Sequence, residues 1–247
     1  MSAGTVKHPA APLVRVLEPA GIGPAASRLV LDALASRHSP VIGVATGSSP
    51  SPLYRALAAS GADFGHASWF ALDEYVGLPP GHPESYAEVL RREIIEPLGL
   101  DPRAVHLPDP HSGDLPAACA AYEERIAAAG GIDLQILGIG RNGHLAFNEP
   151  GGALDSRTRV EALSEDTREA NRRFFDSLED VPTHCLTQGL GTILDAGQLL
   201  LIAQGEDKAE ALRAALKGPV SRDCPASVLQ LHGRVTVLAD AAAAALL

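Results

Sequence analysis

The sequence predicts a three-layer α/β/α domain, Rossmann-like, with a mostly parallel central sheet. Short apolar runs of strand type alternate with stretches of helical spacing from Leu13 to the C-terminus, the pattern that builds parallel sheets covered by helices. Neither a Pro/Gly/Ser linker nor an internal repeat interrupts this alternation, so residues 1–247 are expected to form a single domain. At that length one domain buries a sizeable core.

Taken in order, Leu13 to Leu17 is a short β-type run, and Ile22 to Ser36 has helical spacing through Ala26, Leu29, Val30, Ala33 and Leu34. Val41 to Ala45 reads as a buried strand, Pro50 to Ala59 as a helix and Trp69 to Leu72 as a third strand. An amphipathic helix is expected from Tyr86 to Leu98, a short strand at Val105 to Leu107 and a helix from Leu115 to Ala129. Ile132 to Leu137 is another buried strand, Arg159 to Leu163 a strand and Glu165 to Phe175 a helix. Leu186 to Leu194 is expected to be helical despite its glycines. Gln198 to Ala203 is a strand and Asp207 to Leu216 a helix; Val228 to Leu231, Val235 to Leu238 and an alanine-rich end close the chain. The polar segment from about Glu165 to His184 is the candidate for a mobile lid.

Composition narrows the function. A formal charge of -10 argues against nucleic acid as a partner. A small anionic substrate needs only a few placed cations and backbone amides. Cys119, Cys185 and Cys224 show no CxxC or zinc spacing, which suits reduced thiols in a cytoplasmic protein. Met1 to Pro12 lacks the apolar core of a signal peptide. No apolar run approaches the roughly 20 residues that span a bilayer.

Three stretches carry polar groups at strand ends. Thr46-Gly47-Ser48-Ser49-Pro50 joins a strand to a helix, where hydroxyls and unpaired amides suit an anion, or where a hydroxyl caps the helix. It lacks the Gly-Lys-Ser/Thr ending of a Walker loop. Asp73-Glu74 follows the third strand; if strand geometry persists, the two carboxylates face opposite sides, one functional and the other structural or exposed. Gly138-Ile139-Gly140-Arg141-Asn142-Gly143-His144-Leu145-Ala146-Phe147-Asn148-Glu149-Pro150 follows a buried strand and brings an imidazole near a carboxylate, a plausible acid–base pair.

The wording of this last stretch resembles the signature of the glucosamine-6-phosphate deaminases (isomerases), and further matching blocks run from about Thr46 to His232. The resemblance implies conversion of glucosamine 6-phosphate to fructose 6-phosphate and ammonia without a metal or other cofactor. It makes Asp73 of Asp73-Glu74-Tyr75-Val76-Gly77-Leu78 the enolisation base. It makes His144 the ring-opening residue, oriented by Glu149 and Asn142, and Thr46, Gly47, Ser48 and Ser49 the phosphate cradle. Arg173 and Lys208 become phosphate ligands by the same resemblance. A neutral His and an ionised Asp are expected near pH 7 without large pKa shifts. One common version of the signature has Asp where Asn142 stands, so a charge is missing here.

In allosteric members the region of Ser156-Arg157-Thr158-Arg159 helps to bind an N-acetylated effector at a subunit contact through small hydroxyls and a lysine. Gly152, Ala153 and Glu161 stand in those places here. A homo-oligomer is left open. The alternative enzyme, 6-phosphogluconolactonase, has Asp-Glu-Arg and Gly-His-Thr-Ala-Ser-Leu-Phe in place of Asp73-Glu74-Tyr75 and Gly143-His144-Leu145-Ala146-Phe147. A sugar-phosphate-sensing regulator would need a DNA-binding helix-turn-helix, for which the residues before Leu13 are too few.

Overall fold

The computed structural model describes residues 10–247; the reading of Met1 to Pro12 falls almost wholly outside them. Strand β1 (Leu13–Val16) leads into helix α1 (Pro19–Ala35), and β2 (Val41–Val44) into α2 (Ser51–Ser60), which ends at Gly61 in the left-handed region. After β3 (Ser68–Ala71) the chain bends at Leu72 and continues as β4 (Asp73–Val76). Ser85 starts α3 (Tyr86–Leu90) by accepting the Glu88 amide, a π turn follows at Arg91–Ile95, and α4 (Glu96–Leu98) completes the helical run. Next come β5 (Val105–His106) and α5 (Leu115–Ala128), the latter capped by the Asp114 carboxylate on the Ala117 amide.

The second half adds β6 (Leu134–Leu137), β7 (Arg159–Ala162), α6 (Glu165–Asn171), β8 (His184–Thr187), α7 (Leu190–Leu194), β9 (Leu199–Ala203), α8 (Ala209–Lys217) and β10 (Val235–Ala239). The expected helix over Leu186–Leu194 is therefore corrected. Its first residues belong to β8, and Gln188 and Gly189 separate that strand from α7. The apolar run is too short for periodicity to separate the two states.

Seven strands form the main sheet in the order β1-β10-β9-β6-β2-β3-β5, every neighbouring pair parallel. Its central strands are largely apolar because both faces are covered. All residues of β2, β6, β9 and β10 are buried, and each buried Leu, Ile or Val contributes roughly 1.5–3 kcal/mol. From β2 the chain winds outward through β3 to β5, then returns to lay β6 on the other side of β2. The gap between the ends of β2 and β6 is thus a topological switch point, where open α/β sheets bind ligands.

A smaller antiparallel sheet, β4-β8-β7, was not foreseen in the sequence. It braces the loop after β6. Phe147 N donates to Thr187 Oγ1 at 3.1 Å, and Asn148 Nδ2 donates to the Gln188 carbonyl at 2.8 Å. Between this sheet and the loop lies a small cluster of Tyr75, Phe147, Leu163 and Cys185, with Tyr86 and Phe175 packed against it.

Candidate active site

The carboxyl ends of β2, β3, β6 and β9 open on one cavity of about 500 Å³, the size of a small-ligand site. Eight of the ten residues singled out in the sequence line it: Thr46, Gly47, Ser48 and Ser49 after β2, Asp73 after β3, His144 after β6, Arg173 beyond α6 and Lys208 after β9. Asn142 and Glu149 do not line it; they stand behind His144.

The hydroxyls of the turn after β2 do not cap the helix that follows. Gly47 has φ 99°, which only glycine adopts without strain. Residue Pro50 occupies the N-cap of α2 and no side chain caps that helix, so the Thr46, Ser48 and Ser49 hydroxyls are not spent there. Lys208 Nζ pairs with Asp207 at 3.0 Å, and its side chain is only 19% exposed. The Arg173 guanidinium lies 4.8 Å from the centre of the Phe174 ring and pairs with no carboxylate among the described residues. Arg92, delivered by the π turn, and Arg141 also line the cavity; neither was marked out by the sequence, where each reads as an ordinary solvated arginine.

Asp73 and Glu74 are both buried, yet they do different things. Glu74 Oε1 accepts the amides of Tyr75 and Tyr86, and Oε2 accepts the amide of Ala87, each at 2.8 Å. This carboxylate closes the N-terminus of α3, where backbone donors lack partners and the dipole favours negative charge. It is the structural member of the pair. Asp73 faces the cavity, and its carboxyl is held well above the usual carboxylate range, by burial first and then by the Glu74 charge.

Packing places the imidazole of His144 directly on Gly140: a β-carbon there would lie 2.3–2.5 Å from ring atoms. Behind the ring, Glu149 Oε2 is 3.8 Å from Nδ1 and accepts the Asn142 amide at 2.9 Å. The Asn142 carbonyl oxygen accepts the His144 backbone N–H at 3.2 Å, so Asn142 reaches the imidazole through Glu149 and not directly. Burial lowers the His144 pKa; Glu149 opposes this and Lys208 adds to it. The expectation of no large shift is thus corrected for Asp73, and the cause is desolvation of a carboxyl that the strand end turns into a cavity. Next along the loop, Ala146 has φ 51°, the one positive value among described residues other than glycine; such conformations gather at functional sites.

Known proteins share both the chain and its shape. The family described as glucosamine-6-phosphate isomerases/6-phosphogluconolactonase matches residues 24–238. A glucosamine-6-phosphate deaminase of Pseudarthrobacter chlorophenolicus is 56% identical over 92% of this chain and 88% of its own length. One from Streptomyces avermitilis is 54% identical over 89% and 88%. Among solved structures, a monomeric glucosamine-6-phosphate deaminase superposes with a TM-score of 0.92 at 39% identity, covering 95% of this chain and all of its own. A 6-phosphogluconolactonase from Trypanosoma cruzi reaches a TM-score of 0.78 at 20% identity, over 96% of this chain and 98% of its own, and shows a shared fold. The chain belongs to the glucosamine-6-phosphate isomerase/6-phosphogluconolactonase family.

Proposed function

We propose that this chain deaminates glucosamine 6-phosphate, yielding fructose 6-phosphate and ammonia. One observation carries the proposal: an unpaired, cavity-facing carboxyl (Asp73) and a buried imidazole (His144) share a cavity with a glycine–hydroxyl turn and two cationic side chains. The identities above 50% with deaminases support the choice of substrate.

In this reading the phosphate lies against Thr46–Ser49 with Arg173 and Lys208, which fixes the sugar at its far end. His144, neutral because it is buried, takes the proton from the anomeric hydroxyl and returns it to the ring oxygen, opening the pyranose. Glu149 sets the tautomer by facing Nδ1, and Asn142 holds Glu149. Asp73, once ionised, removes the C2 proton; the same carboxylic acid then delivers a proton to C1 of the enolamine. The resulting imine at C2 adds water and releases ammonia. Desolvation keeps the proton on Asp73 between the two transfers, which suits an acid–base group that must give back what it takes. No metal or other cofactor takes part.

The described residues act as one domain, with the segment 165–184 as a lid over the sugar. Among the described residues no helix is long and apolar enough to cross a membrane, and we place the enzyme in the cytoplasm, without nucleic acid or membrane as a partner.

Ammonia release from glucosamine 6-phosphate by the purified protein, with 6-phosphogluconolactone offered in parallel, tests the proposal. Turnover of the amino sugar is expected. Hydrolysis of the lactone without ammonia release would overturn it.

A further inference from the structure

A contact between Thr167, which lines the cavity, and Glu149, which does not, ties the lid segment to the loop of His144. Ser164 caps α6 by accepting the Thr167 amide at 3.2 Å, and the hydroxyls of both residues point at Glu149. Glu149 Oε1 accepts from Thr167 Oγ1 and, at 3.1 Å, from Ser164 Oγ. The other oxygen, Oε2, accepts the Asn142 amide and looks towards His144 Nδ1. Thr167 is 4% exposed and Glu149 9%. A hydroxyl bonded to a buried carboxylate fixes its rotation.

We infer that Thr167 is a positioning residue: from the first turn of α6 its hydroxyl holds the Glu149 carboxylate aimed at His144, so the ring-opening apparatus is complete only while α6 is seated. This rests on the roles given above to His144 and Glu149. Other contacts seat the helix. Asn171 Nδ2 donates to the Tyr75 hydroxyl at 3.0 Å, and Arg168 donates to the carbonyls of Leu178 and Val181. Removing the Thr167 hydroxyl therefore loosens the carboxylate and leaves the helix in place.

The titratable groups around Glu149 are few. His144 faces it from its own loop, Cys185 from β8, and Lys208 stands on the far side of the imidazole. Arg159 and Glu161 of β7 pair with each other. With the carboxylate no longer held towards Nδ1, its upward pull on the His144 pKa weakens, and the acidic limb of the rate profile moves to lower pH.

Four full-length variants test this by ammonia release from glucosamine 6-phosphate across the pH range: Thr167→Val, which keeps the shape, Thr167→Ser, which keeps the hydroxyl, Glu149→Gln, and Glu149→Gln combined with Thr167→Val. The valine variant should lose about tenfold or more in kcat, the worth of a hydrogen bond to a charged group, with KM changed less than about twofold. Its acidic limb should move to lower pH, serine should restore both, and valine should cost little further beside Glu149→Gln. Wild-type kcat and pH profile in the valine variant, with Glu149→Gln crippled, would overturn the inference and leave the site reading standing. A fully active Glu149→Gln would instead remove the reading itself. A valine variant that loses stability and kcat without moving the limb assigns Thr167 a packing role, which also overturns the inference. Thr167→Ala, lacking the methyl as well, carries the same comparison if valine does not fold.

Discussion

Glu149 Oε2 and His144 Nδ1 stand 3.8 Å apart, within reach of each other's charge and beyond hydrogen-bond length. Nδ1 is buried and has no partner among the described residues. Burial outweighs the carboxylate and holds the imidazole pKa below its usual value, which favours the neutral ring. Catalytic hydrogen bonds are often long without substrate and tighten when it binds. A contraction to about 2.8 Å would turn this charge contact into a charge-assisted bond just as His144 gains its proton.

Replacing Asn142 by Asp tests that arrangement. The Asn142 amide donates to Glu149; an aspartate there would set two carboxylates together, and the pair would retain a proton to higher pH. Any negative charge left on the pair would also raise the His144 pKa. Both effects have the same sign, so the acidic limb of kcat/KM should move to higher pH in an enzyme that stays active. Nuclear magnetic resonance titration of His144 separates the two effects; an imidazole pKa that is unchanged or falls would refute this account of His144, Glu149 and Asn142.

Asp73→Asn should abolish deamination and leave substrate binding nearly intact, because it removes the base and little shape. Proton exchange at C2 in deuterated solvent reads this directly, and near-normal exchange would remove Asp73 from its role. The same variant should be more stable. A carboxyl whose folded pKa is raised stabilises the fold fully below its unfolded value of about 3.9 and loses that contribution as pH climbs towards the folded value. At neutral pH asparagine should therefore raise stability, on the order of 1 kcal/mol, as is common where an active-site group is relieved. The gain should shrink as melting is repeated towards about pH 4.

Lys208→Ala and Arg173→Ala should chiefly raise KM. If the phosphate is gripped equally in ground and transition states, kcat falls less. Each charged hydrogen bond is worth roughly 1.5–3 kcal/mol, about ten- to a hundredfold in KM. Wild-type KM in both variants would place the phosphate elsewhere.

N-acetylglucosamine 6-phosphate should activate weakly or not at all. By the family resemblance Gly152, Ala153 and Glu161 stand where allosteric members have hydroxyls and a lysine, and the Arg159 guanidinium is already bonded to Asn148 and Glu161. A sigmoidal rate curve that the compound turns hyperbolic would contradict this.

Much of the scaffold was legible because β2, β6, β9 and β10 are buried on both faces and read as apolar runs broken only by Gln135 in β6 and Thr236 in β10. The small sheet was not. Asp73-Glu74-Tyr75-Val76 begins with two charges and looks like a loop, and Leu186 and Thr187 merge with the start of α7. At the site, strand-end position marked the stretches of Thr46, Asp73 and His144, the family resemblance picked the residues, and the cavity brings them together. The sequence could not tell that Asn142 acts through Glu149, since that depends on rotamers packed under a loop. Nor did it mark Thr167, a single hydroxyl in a polar segment, whose role exists only because α6 folds back onto residues 18 positions earlier.

Neighbouring carboxylates that point to opposite sides of β4 make chain length as exacting there as chemistry. Substitutions ahead of Asp73 can be sampled one at a time, but a single-residue deletion at the Leu72 bend that slipped β4 by one position against β8 would exchange the two directions. Glu74, one methylene longer, would then enter the cavity, and the amides at the start of α3 would lose their acceptor. Such deletions between β3 and β4 are therefore expected to be lost together from function and from fold, whereas the surface turn before β3 is free to vary in length.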